Sequence, residues 1–163
     1  MSLFEWCQWL EHTPLAFAIA ESTWLFPLIE GSHILALPLS VGMILIFDLR
    51  VLRLAFRGEP ASMVMNEFLR LSKFGVAVMF ITGGVLFITQ AEKAYGNAFF
   101  RTKLILLLLL GINAVVYQTV FYPKMAQWDL LGRTPAGARF CALLSLIAWI
   151  GVIVCGRTMA YQF

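Results

Sequence analysis

A single histidine lies within a stretch apolar enough to enter a membrane, and its chemistry most needs a reason. His33 is one of two histidines in the chain, the other being His12. An ionisable ring in hydrocarbon is costly unless it has a partner and a task. Glu30 precedes His33 by one helical turn, which places both side chains on one face. Three readings stay open. The ring is packed and satisfied by Glu30 or a nearby carbonyl. Or Glu30 and His33 together handle protons or ions. Or the imidazole binds a metal or a haem iron, with the carboxylate holding its second nitrogen. A di-iron site would need a second Glu-x-x-His and further glutamates in the same bundle, and the sequence carries one such motif.

The other polar residues in apolar surroundings have more ordinary readings. Lys103 opens a leucine-rich run and can snorkel toward the headgroups. Asn113 follows at about mid-membrane, where an amide more often bonds a neighbouring helix than a ligand. Thr82-Gly83-Gly84 lets another helix approach, or leaves room for a flat cofactor. Pro38 frees the carbonyl of Ile34 and should bend its helix just below His33. Asp48 and Arg50 sit at a boundary, where they pair with each other or meet headgroups. Met63 and Met65 could serve copper, although packing is the more ordinary use of methionine.

These residues need elements to position them, and the composition says which. The chain has 163 residues, of which 61% are hydrophobic and 13% charged, with a mean hydropathy of +0.84. A soluble domain is nearer 25% charged. Three cysteines without a pairing pattern exclude a disulfide scaffold. The absence of a basic tract or long polar stretch excludes nucleic-acid binding and disorder. Four apolar stretches near the ~20 residues needed to cross the hydrocarbon fall at about 28–47, 74–89, 103–122 and 140–154. The spacing at 49–56 and 63–71 is helical as well, so the first two helices should project beyond the membrane. Ser62 is a candidate N-cap for the second. The run 104–110 reads as a lipid-facing stripe. Taking Asp48 as the inner boundary, the helix rises ~22 Å to His33 at about 1.5 Å per residue. That leaves His33 roughly 8 Å below the outer surface of a ~30 Å core.

Lysine and arginine set the orientation. Arg50, Arg53, Arg57, Arg70, Lys73, Lys124, Arg133 and Arg139 flank one side, against Lys93, Arg101, Lys103 and Arg157 on the other. Both termini are therefore expected outside, with Trp24, Tyr95 and Tyr161 at the outer interface and Trp128 and Tyr122 at the inner. Residues 1–23 read as an interfacial segment. Trp6 and Trp9 alternate with acidic residues as in a surface helix, and Thr13-Pro14 caps a short helix over 15–20. Glu5 and Glu11 in place of basic residues argue against a signal peptide.

The run Glu30-Gly-Ser-His33-Ile-Leu-Ala-Leu-Pro-Leu-Ser-Val-Gly42, closing on Asp48-Leu-Arg50, resembles the first span of several small bacterial membrane families. So does Thr82-Gly-Gly together with Tyr95-Gly-Asn97-Ala-Phe-Phe100-Arg-Thr-Lys103 and Asn113-Ala. The nearest is a family of bacterial four-helix membrane proteins of unknown function. More distantly, residues 24–115 are similar to the copper-resistance D family and to the small haem-containing membrane protoporphyrinogen oxidases. That resemblance implies a b-type haem with His33 as axial ligand and Lys103 near the outer, porphyrin-binding side. No second span histidine is present for bis-histidine ligation, and the oxidase activity itself is not carried over.

The expectation is an all-α four-helix transmembrane bundle of one domain, sequential helices packed as antiparallel neighbours, in the bacterial inner membrane. Its leading function is haem-based electron transfer or redox chemistry, with Glu30, His33, Gly83, Gly84, Lys103 and Asn113 around the haem. The alternatives are a metal-ion or proton transporter using Glu30 and His33, or a non-catalytic subunit that docks a periplasmic partner. The paired glycines and the leucine run favour a homo-oligomer, and a periplasmic redox or metal-carrying protein is the expected partner.

Overall fold

The computed structural model describes residues 2–161. Among them, four helical runs are long and apolar enough to cross a bilayer: Leu25–Val51, Ala61–Ile88, Ala98–Leu130 and Ala136–Met159. No strand occurs among the described residues. The chain is an all-α, multi-pass membrane bundle, as hydrocarbon requires of backbone that must satisfy its own polar groups. Each run overlaps an expected span and exceeds it in length. Leu104, Ile105 and Leu108 face outward, as a lipid-facing stripe should.

In chain order the helices are α1 (Leu3–Glu11), α2 (Pro14–Ala20), α3 (Leu25–Leu37), α4 (Met43–Val51), α5 (Ala61–Ile88), α6 (Ala91–Gly96), α7 (Ala98–Val116), α8 (Met125–Leu130) and α9 (Ala136–Met159). Two widened, π-type turns interrupt the long runs. The first, Pro38–Gly42, joins α3 to α4. Pro38 has no N–H to donate and crowds the preceding turn, so the helix opens there. The second, Tyr117–Phe121, leads through a tight turn at Tyr122–Lys124 into α8.

Local chemistry sets most helix ends. The Thr13 hydroxyl accepts from Ala16 N at 3.3 Å and starts α2 as expected. The Asn97 side chain accepts from Phe99 N and Phe100 N, so α7 begins well before Lys103. The first span does not run on to residue 56. It closes at Val51 because Arg53 takes a left-handed conformation, φ 62°. Arg53 N then bonds Arg50 O at 3.0 Å and Leu54 N bonds Leu49 O at 2.9 Å, the pairing that ends helices in a left-handed residue. Gly132, φ 62°, closes α8 the same way, and Arg53 Nη1 donates to its carbonyl at 2.8 Å.

Ser62 is not the cap of α5. Both first-turn amides, Ala61 N and Ser62 N, donate instead to the two carboxylate oxygens of Asp129, at 2.9 and 2.8 Å. A charged acceptor from α8 outcompetes a local hydroxyl because it serves two orphan amides at once and meets the positive end of the helix dipole.

The bundle has two ends, one carrying α1, α2 and α6, the other carrying α8 and the 52–60 and 131–135 connections. α3 packs on α5, α4 packs on α5 and α9, and α7 packs on α9. The second and third spans are not close neighbours along their length. α5 meets the third run at α8 and through a stack of Phe87 on Phe100 at 5.4 Å. At Gly75, α5 lies close against the π turn: a Cβ there would lie 2.7 Å from Ser40 N. The main apolar core, around Val51, Val64, Met125, Trp128 and Ala142, fills the α8 end. Trp128 therefore belongs to the core and not to an aromatic belt, whereas Trp24 and Tyr161 are exposed. Met63 is exposed and Met65 buried, so they do not converge on one metal.

Candidate functional site

His33 projects from α3 onto α5, where Thr82 and Gly83 receive it. Its Nδ1 lies 2.8 Å from Thr82 Oγ1. Thr82 in turn donates its hydroxyl hydrogen to the Val78 carbonyl at 2.7 Å. With the Thr82 hydrogen directed to that carbonyl, which can only accept, the contact with His33 uses Nδ1–H as donor. The Met79 carbonyl, a second acceptor, faces the same ring. In the neutral imidazole this leaves Nε2 as a bare lone pair, with no hydrogen bond among the described residues. This is the tautomer that ligates metals through Nε2. Gly83 gives the ring its seat: a Cβ at that position would sit 3.1 Å from His33 Cε1. Gly84, one position on, would meet nothing within 4 Å.

The expected Glu30–His33 pair does not form. Glu30 is exposed and makes no hydrogen bond or ion pair among the described residues. One turn apart on a helix brings two side chains to one face, but the ring has rotated toward a better-placed acceptor on α5. Lys103 is half-buried and within electrostatic reach of His33. Its Nζ lies 3.6 Å from the point a Cβ on Gly156 would occupy, and it has no ion pair among the described residues. Asn113 is not part of this group. Its Nδ2 donates to the Cys141 carbonyl at 3.0 Å, tying α7 to α9. The structure thus brings His33 and Gly83 together, adds Thr82, sets Lys103 within electrostatic reach, and leaves Glu30 and Asn113 elsewhere.

Toward the α8 end lies a second polar centre that the sequence did not single out. Where α5 and α7 diverge, α4, α5, α7 and α9 line a partly open cavity of about 280 Å³, with the exposed Lys73 also among its lining residues. Asp48, read from sequence as a boundary residue, is only 4% exposed and lines this cavity. The Ser145 hydroxyl is in hydrogen-bond contact with its carboxylate, but Oδ2 has no partner. The Tyr117 hydroxyl, also lining the cavity, has none either. Arg50 does not neutralise Asp48. It turns the other way, with Nη2 3.9 Å from Asp129 Oδ1 and Nε donating to the Glu59 carbonyl. Among the described residues no three His, Cys, Asp or Glu side chains converge as a metal site.

At the α6 end, α1 docks through its polar face. Gln8 Nε2 donates to Glu92 Oε1 at 3.3 Å, Glu11 Oε2 accepts from Glu92 N at 2.8 Å, and Phe4 packs on Tyr95. Trp6 and Trp9 remain exposed.

The four long apolar helices that carry these features make the chain a multi-pass membrane protein. Residues 7–162 match a family of unknown function, DUF6644, and the chain belongs to that family. No curated protein and no solved structure matches it.

Proposed function

We propose that the protein is a b-type haem protein of the bacterial inner membrane, acting in electron transfer or redox chemistry with His33 as the axial ligand. One observation carries the reading: Thr82 holds Nδ1 at 2.8 Å, and Nε2 has no hydrogen bond among the described residues. A packing histidine needs both nitrogens satisfied or solvated, whereas a ligand needs one held and one bare. Gly83 makes room for the imidazole, and Gly84, with nothing within 4 Å of its Cβ position, leaves space for a flat ring. The unpaired ammonium of Lys103 offers a counter-charge for the carboxylates that a porphyrin carries. Haem would supply a one-electron couple at this depth, and His33 with its Thr82 hydrogen bond would tune it. Asn113 and Glu30 have no part in holding the group.

The excess of Lys and Arg around 50–73 and 124–139 supports placing both termini outside. His33 would then lie in the outer half, within reach of a periplasmic redox or metal-carrying partner. The exposed Trp6 and Trp9 suit such docking, and the exposed apolar faces suit a homo-oligomer.

The test is spectral. The purified protein should show a Soret band, and His33→Ala should abolish it while the chain still inserts. Thr82→Val should retain haem but shift its reduction potential by on the order of 20–60 mV, the equivalent of one hydrogen bond. Thr82→Ser should restore the original potential. A colourless protein after haem supplementation, or an unchanged spectrum in His33→Ala, overturns the assignment.

A further inference from the structure

We propose that the cavity between α4, α5, α7 and α9 binds a small hydrophobic amine in its ammonium form. Asp48 Oδ2 and the Tyr117 oxygen accept its N–H groups, and Phe47, Phe68 and Trp149 surround its apolar body. The site shares no residue with the His33 group and does not depend on haem.

Asp48 is 4% exposed and its Oδ2 has no partner. The nearby guanidinium of Arg50 is engaged by Asp129 and the Glu59 carbonyl. Lys73, the one cation among the lining residues, is exposed and makes no ion pair with Asp48 among the described residues. A carboxylate buried without a counter-charge must take up a proton or a cation, and of the two only an ammonium can also bond the Tyr117 oxygen. The Tyr117 hydroxyl, 7% exposed, is a second polar atom left without a bond in the same space.

The walls decide which cation. Calcium and magnesium take six or more oxygen ligands and zinc three or four from His, Cys or carboxylates, and no three such side chains converge among the described residues. Here one carboxylate is set among side chains that are mostly aliphatic or aromatic. A primary ammonium suits that lining. Its N–H groups reach the two orphan oxygens, and aromatic faces attract its charge. Phe47 and Tyr117 already stand edge to face at 5.5 Å, which fixes one aromatic wall. Size agrees: a cavity of ~150 Å³ holds benzene, so about 280 Å³ accommodates a ring with a short aminoalkyl chain.

The experiment uses the full chain in lipid nanodiscs and isothermal titration with 2-phenylethylammonium, subtracting heats from empty nanodiscs. Propylbenzene and 2-phenylethanol, neutral molecules of the same shape, are titrated in parallel. The ammonium should bind saturably at one site per chain, at least about tenfold tighter than either neutral analogue. Asp48→Asn should weaken it at least about tenfold, as truncating one partner of a buried charge pair does. Tyr117→Phe, which removes only the hydroxyl, should weaken the ammonium about three- to tenfold and leave propylbenzene unchanged. Should Asp48→Asn fail to fold, Tyr117→Phe carries the test alone. Equal affinity for neutral and charged compounds, or ammonium binding that neither variant weakens, overturns the proposal.

Discussion

The two ends of the bundle use the same device at different depths. At the α6 end, Glu11 reaches from α1 to accept the Glu92 amide in the first turn of α6. At the α8 end, Asp129 reaches from α8 to accept both first-turn amides of α5. Each carboxylate meets the positive end of a helix that its own element does not continue. The difference lies in what surrounds them. Glu11 is partly exposed, and its nearest companion is the Gln8–Glu92 side-chain bond. Asp129 is 8% exposed and is paired with an Arg50 that is 10% exposed. A hydrogen bond at the water's edge is exchanged for another with little loss, whereas a buried pair that loses one member strands the other. Depth, more than bond length, decides which cap holds the fold.

Substitutions at these caps and at one mid-bundle bond grade that statement. The largest effect is expected for Asp129→Ala, which strands Arg50 and exposes two amides. It should lower unfolding stability in detergent by about 3–5 kcal/mol. Asp129→Asn should recover part of that, since an amide oxygen can still cap but cannot neutralise Arg50. Glu11→Ala should cost only about 1 kcal/mol, as an ordinary cap does. Equal losses at Glu11 and Asp129 in the same unfolding titration would break the comparison. The smallest effect is expected for Asn113→Leu, which cuts the α7–α9 bond to the Cys141 carbonyl. Interhelical bonds within membranes average about 0.6 kcal/mol, and a loss above about 2 kcal/mol would mark Asn113 as something more than a tie between helices.

What the sequence made legible followed from local signals. The four spans came from apolar length, the opening at 38–42 from Pro38, the start of α2 from Thr13-Pro14, and the Asn113 bond from an amide at mid-membrane. What it hid depends on residues far apart in the chain. Ser62 has the right type for a cap, but its amide is served by Asp129, and no local pattern announces a carboxylate from another helix. Glu30 and His33 share a helical face, yet the ring found Thr82 on α5. The local signal for that contact is a hydroxyl beside two glycines, Thr82-Gly83-Gly84. Asp48 looked like a boundary residue because it ends an apolar run. It is buried because α4 packs against both α5 and α9, a fact about neighbours that hydropathy does not record. Trp128 went from belt to core for the same reason.

The positions of the two caps along the chain also set an order of events during synthesis. Glu11 emerges from the ribosome long before Glu92, so α6 finds its acceptor already made. α5 does not. Ser62 and Asp129 are 67 residues apart, and at about 5–20 residues per second the wait is on the order of 3–13 s. Throughout that interval the leading amides of the second span have only water for a partner. The nascent hairpin of the first two spans must therefore keep its turn in an aqueous compartment until the third span has been made and delivers α8.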